Sequence, residues 1–202
     1  MKDKRFLLII LIAGLLVKII CIFYIYNIGN TFGDSGDYDK TAMILLNEHR
    51  YPNEELSPNM RFIRPPLYPI FLYAVYLFSP QNYILVKILQ SILMAISAFV
   101  LFSIAKQFFS KAVALIAAAV FSLHPYFIVA SANLQNEPVF IFFSMFAVYF
   151  LVKFQSQRIR WGLLFLSGIF TGIGMLTKPS FIIFLPVAIV WLWVIKKEKN
   201  IF

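Results

Sequence analysis

The chain has 202 residues, of which 61% are hydrophobic, 18% aromatic and only 13% charged, and its net charge is +9. A soluble domain carries about 25% charged residues, so this composition excludes a soluble core. Several apolar runs near bilayer length instead predict an all-α, polytopic membrane protein with about six transmembrane helices. The basic excess does not point to nucleic acid, because Lys and Arg stand in short clusters beside the apolar runs, as they do in cytoplasmic loops.

Residues 6–26 form the first run. It exceeds the roughly 7–15 apolar residues of a signal peptide and has no small-residue cleavage site, so it reads as an uncleaved span running outward. Lys2, Lys4 and Arg5 precede it. The single Cys21 lies inside it, has no intrachain partner and reads as a core residue. Lys18, nearer the outer end, could snorkel or pair with an acid of the next loop and is assigned no role.

Residues 27–83 form the first external loop, with interfacial helices. Its polar part holds Asp34, Asp37, Asp39, Glu48, Glu54 and Glu55, six of the nine acids in the chain. Three of them fall within "GDSGDYDK" (33–40). A helix is expected from about Asp37, with Ala42, Leu45 and Leu46 on one face. Asp37 and Asp39 then read as its caps. Asp34 is surplus to capping and is the candidate for chemistry. The stretch "PPLYPIFLYAVYLFSP" (65–80) is too short to span. Counting it as a span would move every later basic cluster outside, so it is expected to lie at the outer interface.

The remaining spans are expected at about 84–109, 112–128, 138–152, 161–176 and 181–195. Lys106 and Lys111 flank one inner connection. Lys153, Arg158 and Arg160 flank another, and Lys196, Lys197 and Lys199 follow the last span. Both termini are then cytoplasmic. The last three spans are short for about 30 Å of hydrocarbon, which predicts polar turns at membrane depth over an outward cavity. Those turns are "ANLQNEP" (132–138) and "LTKPS" (176–180).

Glu137 is the only acid between Glu55 and Glu198. An ionisable group at membrane depth suggests function, but an acid before Pro138 also suits the first turn of a helix. Lys178 and Arg64 offer positive charge facing the acids and could hold a phosphate while a carboxylate takes a proton. Snorkelling and interfacial anchoring are the plainer readings of these two. His124 reads as structural, and Asn133 flanks the same turn. No His/Cys cluster, P-loop or dinucleotide fingerprint occurs, and the glycines of "GIFTGIGML" (168–176) read as close helix packing.

Four stretches stand in a telling order. They are "GDSGDY" after the first span, "RPPLYPIFLYAVY" before the second, "NEPVFIFF" opening the fourth and "GIGMLTKPSFIIFLPV" joining the fifth and sixth. Together they resemble the polyprenyl-phosphate-sugar-dependent glycosyltransferases of the GT-C fold, especially bacterial relatives of protein mannosyltransferases and lipid A aminoarabinose transferases. The resemblance implies that residues 1–202 are one membrane domain, the N-terminal part of a GT-C-like catalytic module whose members continue for several more spans. It implies transfer of a sugar from a polyprenyl-phosphate donor to a lipid, glycan or protein acceptor at the outer face of the cell membrane, with inversion. Asp34 would be the general base. Asp37, Tyr38, Arg64, Glu137 and Lys178 would contact substrate, with Arg64 and Lys178 steadying the leaving phosphate. Glu137 would orient substrate or a divalent cation. Two other readings stand beside it: a transporter or flippase for a lipid-linked substrate, and a non-catalytic, truncated membrane subunit. The halves show no inverted repeat, which weighs against the transporter.

Overall fold

The computed structural model describes residues 2–26, 34–52, 64–156 and 161–199. Among the described residues there are helices and no strands, in keeping with an all-α membrane protein. Spanning elements in hydrocarbon must satisfy their own backbone bonds, and helices do so within one segment. The helices are α1 Lys2–Tyr26, α2 Ser35–Glu48, α3 Leu67–Tyr76, α4 Tyr83–Phe108, α5 Lys111–Leu123, α6 Pro125–Ser131, α7 Glu137–Ser156, α8 Trp161–Thr177 and α9 Phe184–Lys199. A 3₁₀ turn, Pro179–Ile183, joins α8 to α9.

Three helices (α1, α4 and α7) are long and apolar enough to cross a membrane, and α5 with α6 makes a fourth if the bent pair is one span. Against the expectation of six, three or four such spans stand among the described residues, with α8 and α9 as shorter apolar helices. The fourth expected span is longer than its apolar run suggested, because the helix continues through Lys153 and Gln155 to Ser156. Large apolar side chains face outward along these helices: Ile20, Phe165 and Ile189 are each more than 60% exposed. That is the surface expected where lipid rather than water is the solvent.

The third expected span is not continuous. Pro125 has no N–H to give α5, and the residue before a proline is pushed out of the helical region. His124 is extended (φ −63°, ψ 126°), and the axis turns by 50°. The His124 Nδ1 accepts from the Tyr126 N–H at 3.2 Å and so caps α6. The last carbonyls of α5 have lost their intrahelical donors. Lys18 supplies one, its Nζ donating to the Ser122 carbonyl at 2.6 Å and more weakly to Gly14 at 3.4 Å. Lys18 is therefore buried at a helix break and neither snorkels nor seeks a loop acid. Gly14 permits the approach: a Cβ there would lie 2.7 Å from the Ser122 Cβ.

Helix α4 is the central post, packed against α1, α5 and α7. Asn82 accepts from the Leu85 N–H and starts it. Its inward stripe follows the helical period: Lys87, Gln90, Ser91, Met94, Ser97 and Ala98 are all buried. Gln90 closes the turn after α6, its Nε2 donating to the carbonyls of Asn133 at 2.8 Å and Ser131 at 3.2 Å. The Tyr68 hydroxyl of α3 donates to the Gln90 Oε1 at 2.5 Å. That network ties α3 to α4 and to the turn after α6. Helix α8 meets α7 through Ser167, Thr171, Gly174 and Thr177, small residues one turn apart that allow close packing in lipid. Ser167 donates to the Ala147 carbonyl at 2.8 Å. Gly168 and Gly172 do not share this role: a Cβ on either would meet nothing within 4 Å, and only Gly174 is crowded, by Phe181.

Candidate functional site

The segment "GDSGDYDK" enters α2 earlier than its pattern indicated. Asp34 occupies the N-cap position but makes no side-chain capping bond. Asp37 and Asp39 lie inside the helix, so the capping reading of both is corrected. Asp39 faces the core side and accepts from the hydroxyls of Tyr76 at 2.6 Å and Tyr83 at 2.9 Å. It binds α2 to α3 and α4. Such charge-assisted bonds are about twice as strong as neutral ones.

Asp34 and Asp37, one turn apart, project to the same cation. The Arg64 Nη2 donates to Asp34 Oδ1 at 2.6 Å and to Asp37 Oδ2 at 2.8 Å, and its Nε donates to the same Asp37 oxygen at 3.2 Å. The guanidinium lies 5.8 Å from the centre of the Tyr38 ring. Burial works against the Arg64 charge, but the hydrogen bond to Asp37 and the charges of Asp34 and Asp37 hold its pKa above the ordinary value. A single planar fork thus keeps two like-charged carboxylates side by side. They are not equivalent: the Asp34 side chain is 56% exposed and that of Asp37 27%.

The second cluster comes from the two polar turns. The Asn136 Nδ2 donates to the Thr177 carbonyl at 3.2 Å, in a buried contact that brings the turns together. Glu137 begins α7 and Lys178 follows α8, and the Lys178 Nζ meets Glu137 Oε1 at 3.4 Å. The ammonium also lies 5.7 Å from the Phe140 ring centre. Glu137 therefore sits in the first turn of a helix, as the plainer reading had it, and is also paired with a cation.

Tyr38 connects the clusters. Its ring packs edge-on against Tyr68 at 4.8 Å, in a buried cluster that also contains Leu134 and Val139 from the α6–α7 side. Burial pushes the Tyr38 phenol up to about 12; Arg64 lowers it, and the carboxylates of Asp34, Glu137 and Asp37 raise it. One buried phenol thus lies in the field of both acid clusters and stays protonated at ordinary pH. Of the six residues singled out in the sequence, Asp34, Asp37 and Arg64 come together, Glu137 and Lys178 come together, and Tyr38 stands in the field between them. The Gln90–Tyr68 link and the Asp39 anchor escaped sequence reasoning. The signal for Gln90 was its place in the polar stripe of α4.

Among the described residues no three of His, Cys, Asp and Glu gather into a metal-binding group. The carboxylates turn to Arg64 and Lys178 instead. Among the described residues, carboxylates already held by Arg64 and Lys178 do not form a donor set for a divalent cation.

The chain was compared with known protein families, curated proteins and solved structures. The family described as dolichyl-phosphate-mannose-protein mannosyltransferase matches residues 63–202, more than two thirds of the chain. No curated protein and no solved structure shows significant similarity to it.

Proposed function

Because the chain belongs to the dolichyl-phosphate-mannose-protein mannosyltransferase family, a family of GT-C-type membrane glycosyltransferases, we propose that it takes part in moving a sugar from a polyprenyl-phosphate donor to an acceptor hydroxyl at the outer membrane face. The observation that carries this reading is the pairing of an accessible carboxylate, Asp34 on Arg64, with a second acid–cation pair, Glu137 with Lys178, around one buried phenol.

In this reading Asp34 takes the proton of the acceptor hydroxyl. The freed oxygen attacks the anomeric carbon, and the bond from that carbon to the phosphate oxygen breaks with inversion. The bonding pair leaves with the lipid phosphate, and Lys178 meets the charge that develops there. Arg64, already shared by two carboxylates, keeps Asp34 aimed rather than holding the phosphate. In the same reading Glu137 and Tyr38 orient the substrate.

The test is sugar transfer from a labelled polyprenyl-phosphate sugar in membranes holding the protein. Asp34→Asn keeps the side chain's size and removes the base, so transfer should fall by about 10²–10⁴ at equal expression. Transfer at the wild-type rate by Asp34→Asn, with loss in Asp37→Asn, would move the base to the neighbouring acid. Orientation has its own test. In a Cys21→Ser background, an impermeant thiol reagent added outside should label Asn47→Cys and leave Gln107→Cys untouched. The reverse pattern would put the acid clusters on the cytoplasmic side.

A further inference from the structure

Each acid–cation cluster lies a short step along the chain from a partner of one side chain. Tyr68 follows Arg64 by four residues, Asn133 precedes Glu137 by four, and both meet Gln90 of α4. Gln90, Tyr68, Ser131 and Asn133 are all buried to 1% exposure or less. Ser131 closes α6 and Asn133 stands in the turn before α7, so their carbonyls are buried acceptors at the open end of a helix.

The amide of Gln90 has one workable orientation here. A carbonyl only accepts, so Nε2 faces Ser131 and Asn133, and Oε1 is left for the Tyr68 hydroxyl, which donates. The Tyr68 ring lies edge-on to Tyr38 at 4.8 Å, and the Tyr38 ring lies 5.8 Å from the Arg64 guanidinium. On the other side, Asn136 binds the same turn to the carbonyl of Thr177, the residue before Lys178. One planar group on the central helix therefore holds a point beside Arg64 and a point beside Glu137 and Lys178 together. In buried surroundings a bond left unmade on either side is costly. An apolar side chain of the same length would fill the space and hold neither side.

We propose that Gln90 is a positioning residue for the transfer: its amide sets the spacing between the Asp34–Arg64 and Glu137–Lys178 clusters, so that the base and the cation meeting the phosphate face one acceptor and one donor. Its part in the reaction rests on the transferase reading. The spacing itself does not. Reacting groups must sit within a narrow range of distance and angle, and an error of about 1 Å costs about 10²-fold in rate.

Two readouts on the full chain in membranes test this. The first is the distance between spin labels on Lys40→Cys of α2 and Ser180→Cys beyond Lys178, both exposed positions, in a Cys21→Ser background. The pair should give one narrow distribution, and adding Gln90→Met should broaden or shift it. The second is sugar transfer. Gln90→Met should lower kcat about 100-fold and change KM by less than about twofold, because aim is lost and binding groups remain. Adding Tyr68→Phe to Gln90→Met should slow transfer no further, since both act through one amide. Ser97→Ala removes another buried polar group of the same α4 stripe, one bonded to the Leu93 carbonyl, and should leave both readouts unchanged. An unchanged distance in Gln90→Met, a loss in KM alone, multiplied losses in the double variant, or the same losses in Ser97→Ala would each overturn the proposal. Absence of transfer by the wild type would remove the transferase reading and the catalytic part of this role, and the labels would still decide the spacing.

Discussion

The two acid–cation clusters are built differently. Arg64 is shared by Asp34 and Asp37 through three short contacts and is only 19% exposed, whereas Lys178 meets Glu137 once, at 3.4 Å, and is 43% exposed. The first arrangement is a fixed fork. Its value lies in holding two carboxylates in one geometry, since an exposed pair contributes only about 0–1 kcal/mol. The second is a loose pair at the meeting of two turns, with a flexible ammonium able to leave its partner for an anion. A rigid cation suits positioning and a mobile one suits binding, and the two roles can be separated by substitution.

Between the two cations, the larger effect is expected where the mobile one is removed. Lys178→Met should lower turnover by about 10²–10³, the cost of losing one group that meets charge developing in the transition state. It should leave the Arg64 cluster intact. A loss confined to KM would make Lys178 a ground-state contact only.

Arg64→Lys comes next. It keeps the charge but loses the fork, so one of the two carboxylates must lose its partner. Turnover should fall about tenfold as the base loses its fixed aim. If Arg64→Lys instead matched Lys178→Met in size, the division of roles would collapse.

Asp39→Leu probes the support beneath the first cluster. Removing an acceptor that holds two tyrosine hydroxyls should cost about 1–3 kcal/mol of stability, read as a lower midpoint in thermal unfolding in detergent. Transfer by the folded fraction should change little, which distinguishes Asp39 from its neighbours two and five residues earlier.

The smallest effect belongs to Tyr38→Phe. The Tyr38 phenol titrates near 12, raised mainly by burial, so it stays protonated from pH 6 to 9. The variant should keep the shape of the wild-type pH–rate profile and lose at most a few-fold in rate. A lost basic limb would show that Tyr38, not an aspartate, moves the proton.

Much of this arrangement was legible in the chain. The apolar run at 84–109 lies within one residue of α4, because a long uniform stretch in lipid has few alternatives to a helix. The apolar run at 112–128 reads as one continuous span through Pro125, and that reading missed the break there. Whether the chain resumed on the same axis was decided by Lys18, more than 100 residues earlier, reaching the Ser122 carbonyl past Gly14. The glycines at 168 and 172 misled because spacing marks a face without naming what the face meets. The aspartates misled in the same way: Asp, Ser and Gly at a helix start suggest capping, yet the tyrosines that claim Asp39 come from α3 and α4.

Composition, the apolar runs and the placing of Lys and Arg by themselves determined a helical membrane protein with its acids gathered towards one end, because burying charge in hydrocarbon leaves few other solutions. Which acid met which cation was decided only by the packed structure. Asp34 and Arg64 are 30 residues apart, and Glu137 and Lys178 are 41 apart. Local pattern carries no record of such distances. They follow from Tyr68 meeting Gln90 and from Asn136 meeting Thr177, contacts that exist only once the helices have packed.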